Sequence, residues 1–178
     1  KLNSANALGT AAGGTVVSSG AALDLGGFGI ADPLTVAGVG VAGAALMNSG
    51  SGVATVSGAV TLSGATTIGG AGQLSFSTVA IGESSVGALL TKTGTGVAIF
   101  GGPNATRTGS TSVDQRTLRL QGASGILPLS TAAGSIILNG GMLSLAPTAA
   151  STVAQNVQLS AAGNTILTDS SALANVYT

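Results

Sequence analysis

The chain has 178 residues, a formal net charge of +0 and only 6% charged residues, and it contains neither cysteine nor histidine. A chain of this composition has no strongly positive surface with which to bind nucleic acids or anionic lipids. Without cysteine it also has neither disulfides nor thiolate metal sites. Hydrophobic residues make up 44% of the chain, which is too much apolar material for a disordered linker. No apolar run approaches the roughly 18 residues of a membrane-spanning helix, so we predict no membrane span in this segment.

Short segments of β-branched or alternating residues follow one another along the chain. Alternation with a period of two places successive side chains on opposite faces of a strand, and β-branched residues favour strands. Glycine pairs at 26–27, 69–70, 101–102 and 140–141 predict corners between strands. Helical spacing is absent, and we therefore predict an all-β chain. The predicted strands are 15–17, 22–25, 60–62, 73–76, 117–120, 135–138 and 142–145.

An internal repeat indicates how these strands associate. Residues 10–25 read TAAGGTVVSSGAALDL and residues 131–145 read TAAGSIILNGGMLSL. Repetition, together with strands that recur every 20 to 25 residues or so, is typical of a β-solenoid, in which each turn stacks on the previous one. We expect about eight turns and a rod on the order of 40 Å long, at roughly 4.8 Å per turn. A β-sandwich is the alternative.

The segment from Gly87 to Leu120 resembles a known family, the autotransporter-associated β-strand repeats of bacterial surface proteins. Its three parts read LTKTGTGVAI at 90–99, NATRTGSTSV at 104–113 and RTL at 116–118. Arg107 stands where the family has tyrosine, and Ser110 and Arg116 stand where it has glycine. The resemblance implies a right-handed parallel β-helix at a bacterial cell surface, as a passenger, adhesin or fibre segment.

Three patterns that could carry chemistry are better explained by structure. GVGVAG at 38–43 matches a dinucleotide fingerprint, but neither a long helix nor an acid about 20 positions later follows it. The five acids, Asp24, Asp32, Glu83, Asp114 and Asp169, are at least eight positions apart, so sequence indicates no catalytic pair or calcium loop. Without histidine, only Lys92 could activate a serine, and we expect its stem to lie over the edge of a turn with the amine in solvent.

These observations predict a non-enzymatic structural protein without a catalytic, cofactor or metal site. We expect residues 1–178 to form a single solenoid segment of a longer repetitive array, extracellular or on a bacterial surface. Its expected partners are other copies stacked end to end in a filament, neighbouring repeats, or host glycans. The alternative is a glycan-binding or glycan-cleaving passenger, which the small number of aromatic residues disfavours.

Overall fold

The structure, a computed structural model, describes residues 1–102, 106–122, 134–148, 152–153, 155–168 and 176–177. These residues form β-strands and no helix. The strands are β1 (Thr15–Val17), β2 (Leu23–Asp24), β3 (Leu34–Gly38), β4 (Leu46–Asn48), β5 (Ala54–Thr55), β6 (Val60–Gly70), β7 (Leu74–Phe76), β8 (Ile81–Glu83), β9 (Leu90–Lys92), β10 (Ala98–Phe100), β11 (Thr111–Val113), β12 (Thr117–Leu120), β13 (Ile136–Leu138), β14 (Met142–Leu145), β15 (Thr152–Val153), β16 (Val157–Leu159), β17 (Thr165–Thr168) and β18 (Val176–Tyr177).

The strands stack in three columns, and every pairing between named strands is parallel. The first column contains β1, β3, the start of β6, and β8. The second contains β2, β4, the end of β6, β9, β11, β13 and β16, and the third contains β5, β7, β10, β12, β14 and β17. Strand β6 has 11 residues and runs through two columns. The register of its pairing with β3 shifts between the two. Strand β18 lies on β15 and so begins a further turn.

This architecture confirms the predicted β-solenoid. The stack has about six turns, slightly fewer than the eight expected. One turn uses 20 residues between the paired residues Ala54 and Leu74 and 25 between Leu118 and Leu143. The alternative of a β-sandwich is wrong, because the strands pair in parallel along a rising chain rather than in two facing antiparallel layers.

The core is a column of inward-facing side chains at alternate strand positions. In the third column, Leu118 lies between Ala98 of the turn before and Leu143 of the turn after, and all three are completely buried. Two residues further along the strands, the rings of Phe76 and Phe100 meet edge to face, with centroids 5.3 Å apart. Each turn therefore buries its apolar side chains mainly against the adjacent turns, as in other repeat proteins.

Glycines allow the corners of successive turns to approach closely. A Cβ atom at Gly96 would overlap the carbonyl oxygen of Gly72, and one at Gly72 would overlap that of Gly50. The predicted corners at 26–27 and 140–141 lie between strands, with φ of +62°, +93° and +93° at Gly26, Gly27 and Gly140. The pair at 69–70 instead ends β6, and the pair at 101–102 directly follows β10.

The two copies of the internal repeat occupy different columns. Strand β1 of the first copy belongs to the first column and β2 to the second, whereas β13 and β14 of the second copy belong to the second and third. Residues 131–133 lie outside the described part of the chain. The same sequence pattern of strand, glycine turn and strand therefore connects the first column to the second in one copy, and the second column to the third in the other.

Candidate functional site

The acidic side chains do not converge; three of them instead bond to the next turn. Asp24 accepts hydrogen bonds from the amide and hydroxyl of Ser49 at 2.9 and 2.6 Å, and the hydroxyl of Thr108 donates to Glu83 at 2.5 Å. The Asn139 amide lies 3.4 Å from a carboxylate oxygen of Asp114. Each pair is 25 residues apart, which is about one turn of the solenoid.

The remaining acids and the glycine-rich motif have separate positions. Asp32 is 5% exposed and precedes β3, and Asp169 lies outside the described residues. The GVGVAG motif forms the turn between β3 and β4, with φ of +89°, +73° and +81° at Gly38, Gly40 and Gly43. Strand β4, rather than a helix, follows it, so the motif is a corner.

Glu83 is the centre of a polar cluster that joins two turns. It pairs in register with the buried Leu62, and its carboxylate accepts hydrogen bonds from the amides of Gly87, Ala88 and Thr108 at 3.3, 3.1 and 2.7 Å. Burial alone would raise the pKa of Glu83, but the hydrogen bonds from Thr108, Gly87 and Ala88 lower this pKa to about 2. The carboxylate therefore ties one corner to the next while remaining ionised.

Arg107 lies in the core beside this cluster. The side chain is 0% exposed, and its guanidinium group donates to the carbonyl oxygens of Ala88 at 3.2 Å and Ser110 at 3.4 Å and to the hydroxyl of Thr111. Burial lowers the pKa of Arg107 to about 10, against the charge of Glu83, which raises it. The arginine thus occupies an interior site, where it donates hydrogen bonds to backbone carbonyl oxygens of two corners.

Lys92 is also inside the solenoid, and our expectation that its amine lies in solvent is wrong. The residue is 2% exposed, and its ammonium group donates to the carbonyl oxygens of Thr93, Gly94 and Gln115 at 2.7, 3.1 and 3.2 Å. Burial, and then the charge of Arg116, lowers the pKa of Lys92 to about 8. Because these three carbonyl groups belong to corners, the lysine fastens the corner after β9 to the corner after β11.

A shallow groove runs along the corner that follows the third column. Its volume is about 290 Å³, and it is lined by Ser77, Gly101, Gln121, Gly122 and Thr148. These residues follow β7, β10, β12 and β14, so they come from successive turns. Its hydroxyl and amide groups can exchange hydrogen bonds with a polar ligand, but the lining contains no charged or aromatic side chain.

The lower end of the solenoid is covered by the first residues of the chain. The amide of Leu2 donates to the carbonyl oxygen of Asp24 at 2.7 Å, as the amide of Leu25 donates to Met47 one turn higher at 2.8 Å. Leu2 therefore continues the second column downward by one residue. It is 9% exposed, and Leu8 packs against the same core.

The upper end is more open. Three inward positions of its last turn, Val157, Leu159 and Ile166, are 37%, 65% and 45% exposed. The residues paired with them one turn below, Ile136, Leu138 and Leu143, are all 0% exposed. Among the described strands, β16 pairs with β13 alone and β17 with β14 alone. The end thus presents apolar side chains and two strand edges.

Two further features are absent from the described residues. These residues contain no group of three or more histidine, cysteine, aspartate or glutamate side chains that could hold a metal ion. In that same part of the chain, no helix has the length and apolar character needed to span a membrane.

Comparison with known proteins does not assign the chain to a family. No family model, no curated protein and no solved structure matches it.

Sequence reasoning missed the contacts of the half-buried Glu83 and of the buried Arg107, Lys92 and Asn48. Asn48 is 0% exposed, and its amide donates to the carbonyl oxygens of Gly52 and Gln73 at 2.8 and 2.9 Å. For Lys92 the available signal was strand alternation, because it lies two positions after the inward Leu90. For Glu83 the signal was the spacing of one turn to Thr108.

Proposed function

We propose that this chain is a structural protein, a stiff β-solenoid segment of a stalk or fibre, and that it carries no enzymatic activity. The observation that carries this proposal is the second column, in which seven strands pair in parallel from β2 to β16. Because each turn is joined to the next by backbone hydrogen bonds and shared core, bending the rod requires many contacts to break together. The buried Lys92 and Arg107 and the half-buried Glu83 form hydrogen bonds with backbone or hydroxyl groups of adjacent corners, so these charged groups hold neighbouring turns together.

We further propose that this rod lies at a bacterial surface, as an adhesive or fibre-forming segment. The support is the resemblance at 87–120 and the way its parts divide among structural elements. Residues 90–92 are β9, the glycine-rich 93–97 make a corner, and the leucine of RTL, Leu118, is a core residue of β12. Asn104 and Ala105 of the second part lie outside the described residues.

Rigidity can be measured with spin labels, since the chain has no native cysteine. We would label the exposed positions Ala21 and Gln158, using Ala21→Cys and Gln158→Cys, and measure their separation by pulsed electron resonance. Six steps separate β2 from β16 along the second column, so we expect a narrow distribution centred at about 30 Å, at about 4.8 Å per step. It should be unchanged between low and high salt. A broad distribution would contradict a rigid spacer.

Location is tested on intact cells of the organism that makes the protein. Antibodies against the purified chain should label unpermeabilised cells, and external protease should remove the label. A cytoplasmic protein of the same cells, probed in parallel, controls for lysis. Labelling only after permeabilisation would contradict a surface location while leaving the rigid-rod proposal intact.

The corner groove supports a second candidate function, the binding of glycans. Its hydroxyl and amide groups suit sugar hydroxyls, although Phe76 and Phe100 are buried in the core and cannot stack on a sugar ring. A glycan array with the purified chain tests it. Selective binding that Gln121→Ala abolishes, and that the exposed control Gln158→Ala leaves unchanged, would favour this function over a purely mechanical one.

A further inference from the structure

We propose that Asn139 is a site of spontaneous deamidation, where the side-chain amide is converted to a carboxylate that weakens the contact between two turns, and that Asn164 restrains this reaction. The inference concerns a covalent modification and goes beyond the proposed structural role. It rests on three observations: the residue that follows Asn139, the position of its side chain between two turns, and the hydrogen bond that holds the attacking nitrogen.

The first observation is that Asn139 and Gly140 form an exposed corner directly after β13. Asparagine is a chemically labile side chain, and its deamidation begins when the backbone nitrogen of the following residue attacks the side-chain carbonyl carbon. Asn139 is the only asparagine of the chain that glycine follows, and glycine has no Cβ atom to hinder this attack. By contrast, Asn48 is buried, and its side-chain oxygen is held by the amide of Gly50 at 2.9 Å.

The reaction needs only water as a co-reactant. The nitrogen of Gly140 forms a bond to Cγ of Asn139, and its proton passes through solvent to the side-chain nitrogen, which leaves as ammonia when its bond to Cγ breaks. Water then opens the resulting cyclic imide at one of its two carbonyl groups. Opening at Cγ gives aspartate, whereas opening at the main-chain carbonyl gives isoaspartate, in which the main chain continues through Cγ.

The second observation is that the side chain of Asn139 lies between two turns. Its amide nitrogen is 3.4 Å from a carboxylate oxygen of Asp114 in the turn below, and its amide oxygen is 3.5 Å from the hydroxyl of Ser160 in the turn above. The neutral amide donates to Asp114, whereas an aspartate at this position places a second negative charge beside the first. Like charges at this separation repel each other, and salt screens the repulsion at an exposed site.

Isoaspartate disturbs the same corner further because it adds a carbon atom to the main chain. The amides of Asn139 and Gly141 both donate to the carbonyl oxygen of Val113 in the turn below, at 2.9 and 3.1 Å. A Cβ atom at Gly141 would overlap this carbonyl oxygen, so the two turns are already in close contact there. A longer main chain between the two amides disrupts this shared hydrogen bonding.

The third observation is that the attacking nitrogen is held by the turn above. The amide of Gly140 donates to Oδ1 of Asn164 at 2.7 Å, and the side-chain nitrogen of Asn164 donates to the carbonyl oxygen of Ala161 at 2.5 Å. Attack requires the nitrogen of Gly140 to lose its proton and to turn toward Cγ of Asn139. Because the hydrogen bond to Oδ1 opposes both changes, Asn164 slows deamidation in the folded chain.

The first test follows deamidation site by site. The purified chain is stored at mildly alkaline pH, and peptide mapping by mass spectrometry measures the conversion of each asparagine. Asn139 should convert first, and Asn164→Ala should accelerate this by about fivefold, which corresponds to the loss of one ordinary hydrogen bond. Asn164→Asp keeps the oxygen that accepts from Gly140 but loses the donor to Ala161, so it should remain slow. Asn156→Ala, at an exposed asparagine of the same turn, is the matched control and should also remain slow.

Three outcomes of this experiment would overturn the proposal. The first is that another asparagine converts before Asn139, and the second is that Asn164→Ala leaves the rate unchanged. The third is equal acceleration in Asn164→Ala and Asn164→Asp, because the lost contact with Ala161, rather than a freed nitrogen, would then be the cause.

The second test measures the effect on stability. Storage should lower the urea midpoint of the unaltered chain and not that of Asn139→Gln, whose longer side chain closes the corresponding ring far more slowly. Freshly made Asn139→Asp should have a lowered midpoint that high salt partly restores, since salt screens the repulsion from Asp114. An Asn139→Gln chain that loses stability on storage as fast as the unaltered chain, or an Asn139→Asp chain with an unchanged midpoint at low salt, would overturn the proposal.

Discussion

The ammonium group of Lys92 donates a hydrogen bond to the carbonyl oxygen of Gln115 at 3.2 Å, and thereby joins two corners that lie one turn apart. It also donates to Thr93 and Gly94 within its own corner. A positive charge is thus held in the interior by three neutral carbonyl groups, and no carboxylate is among the hydrogen-bond partners of this amine in the described residues. Burial without a counterion is the physical reason that the pKa of Lys92 falls to about 8.

This shift predicts a stability that rises with pH in the alkaline range. The unfolded chain keeps the proton on Lys92 up to its ordinary pKa of 10.5, whereas the folded chain loses it near pH 8. Between these values the unfolded state binds more protons, so raising the pH stabilises the fold, by up to about 3 kcal/mol. Urea unfolding from pH 7.5 to 10.5 should show this rise in the unaltered chain and not in Lys92→Met. Lys1→Met, at an exposed lysine, should retain it, and an equal rise in both variants would contradict the assignment.

The corner glycines predict a second effect on stability. Gly96→Ala should destabilise the chain by about 3 kcal/mol or more, because the new methyl group would overlap the carbonyl oxygen of Gly72 and force two turns apart. The matched control is Gly13→Ala, since a Cβ atom at Gly13 meets nothing within 4 Å and its φ is not positive. Thermal unfolding should separate the two variants clearly. Equal stability of both would show that the corners can spread without cost.

Glu83 predicts a loss of stability in acid. Its folded pKa of about 2 lies below the ordinary 4.5, so its contribution is complete above pH 4.5 and is lost as the pH falls toward 2. Glu83→Gln should lower the stability at pH 7 by about 2 kcal/mol, the typical value of charge-assisted hydrogen bonds, and should flatten the acid limb of the profile. Ser84→Ala, at the exposed neighbouring position, should leave that limb unchanged. A Glu83→Gln profile parallel to that of the unaltered chain would contradict this role.

Arg116 is the one described non-glycine residue with a positive φ, at +53°. This left-handed conformation is unfavourable for a residue with a Cβ atom, whereas glycine adopts it readily. Arg116→Gly should therefore stabilise the chain by about 1 kcal/mol, despite losing the 3.3 Å hydrogen bond to Thr95. Thr95→Gly, at an exposed corner residue whose φ is not positive, should destabilise it instead. Equal effects in denaturant unfolding would contradict relief of backbone strain as the cause.

The fold was predictable because its signals are local and repeated. Alternation in segments such as Thr117–Leu120 identifies strands, and the recurrence of these strands after 20 to 25 residues identifies stacked turns. The number of turns was overestimated because the length of a turn varies along the chain. The internal repeat was weak evidence for structurally equivalent turns, since its two copies lie at different corners of the solenoid.

The polar contacts between turns were harder to predict, because they depend on which residues lie one turn apart. Glu83 and Thr108 meet only when the intervening 25 residues complete a turn, and that length varies along the chain. Lys92 was expected in solvent because a lysine stem can lie over apolar surface while its amine stays hydrated. Strand alternation was a better guide than charge, because Lys92 lies two positions after Leu90 and so points inward as Leu90 does.

The edge-to-face pair of Phe76 and Phe100 predicts which strands of the solenoid lose stability when a core side chain is removed. Phe100→Ala removes a ring that is 3% exposed and should cost about 4 kcal/mol, because the turns above and below cannot close the cavity fully. Since each turn contacts mainly its neighbours, the effect should be local, with faster amide exchange in β7, β10 and β12 and little change in β3 and β4. Val86→Ala, at a position that is 88% exposed, is the control and should change neither stability nor exchange. Uniform loss of protection from β1 to β16 would instead mean that the rod unfolds as a single unit, in which case the stack is more cooperative than contacts between adjacent turns explain.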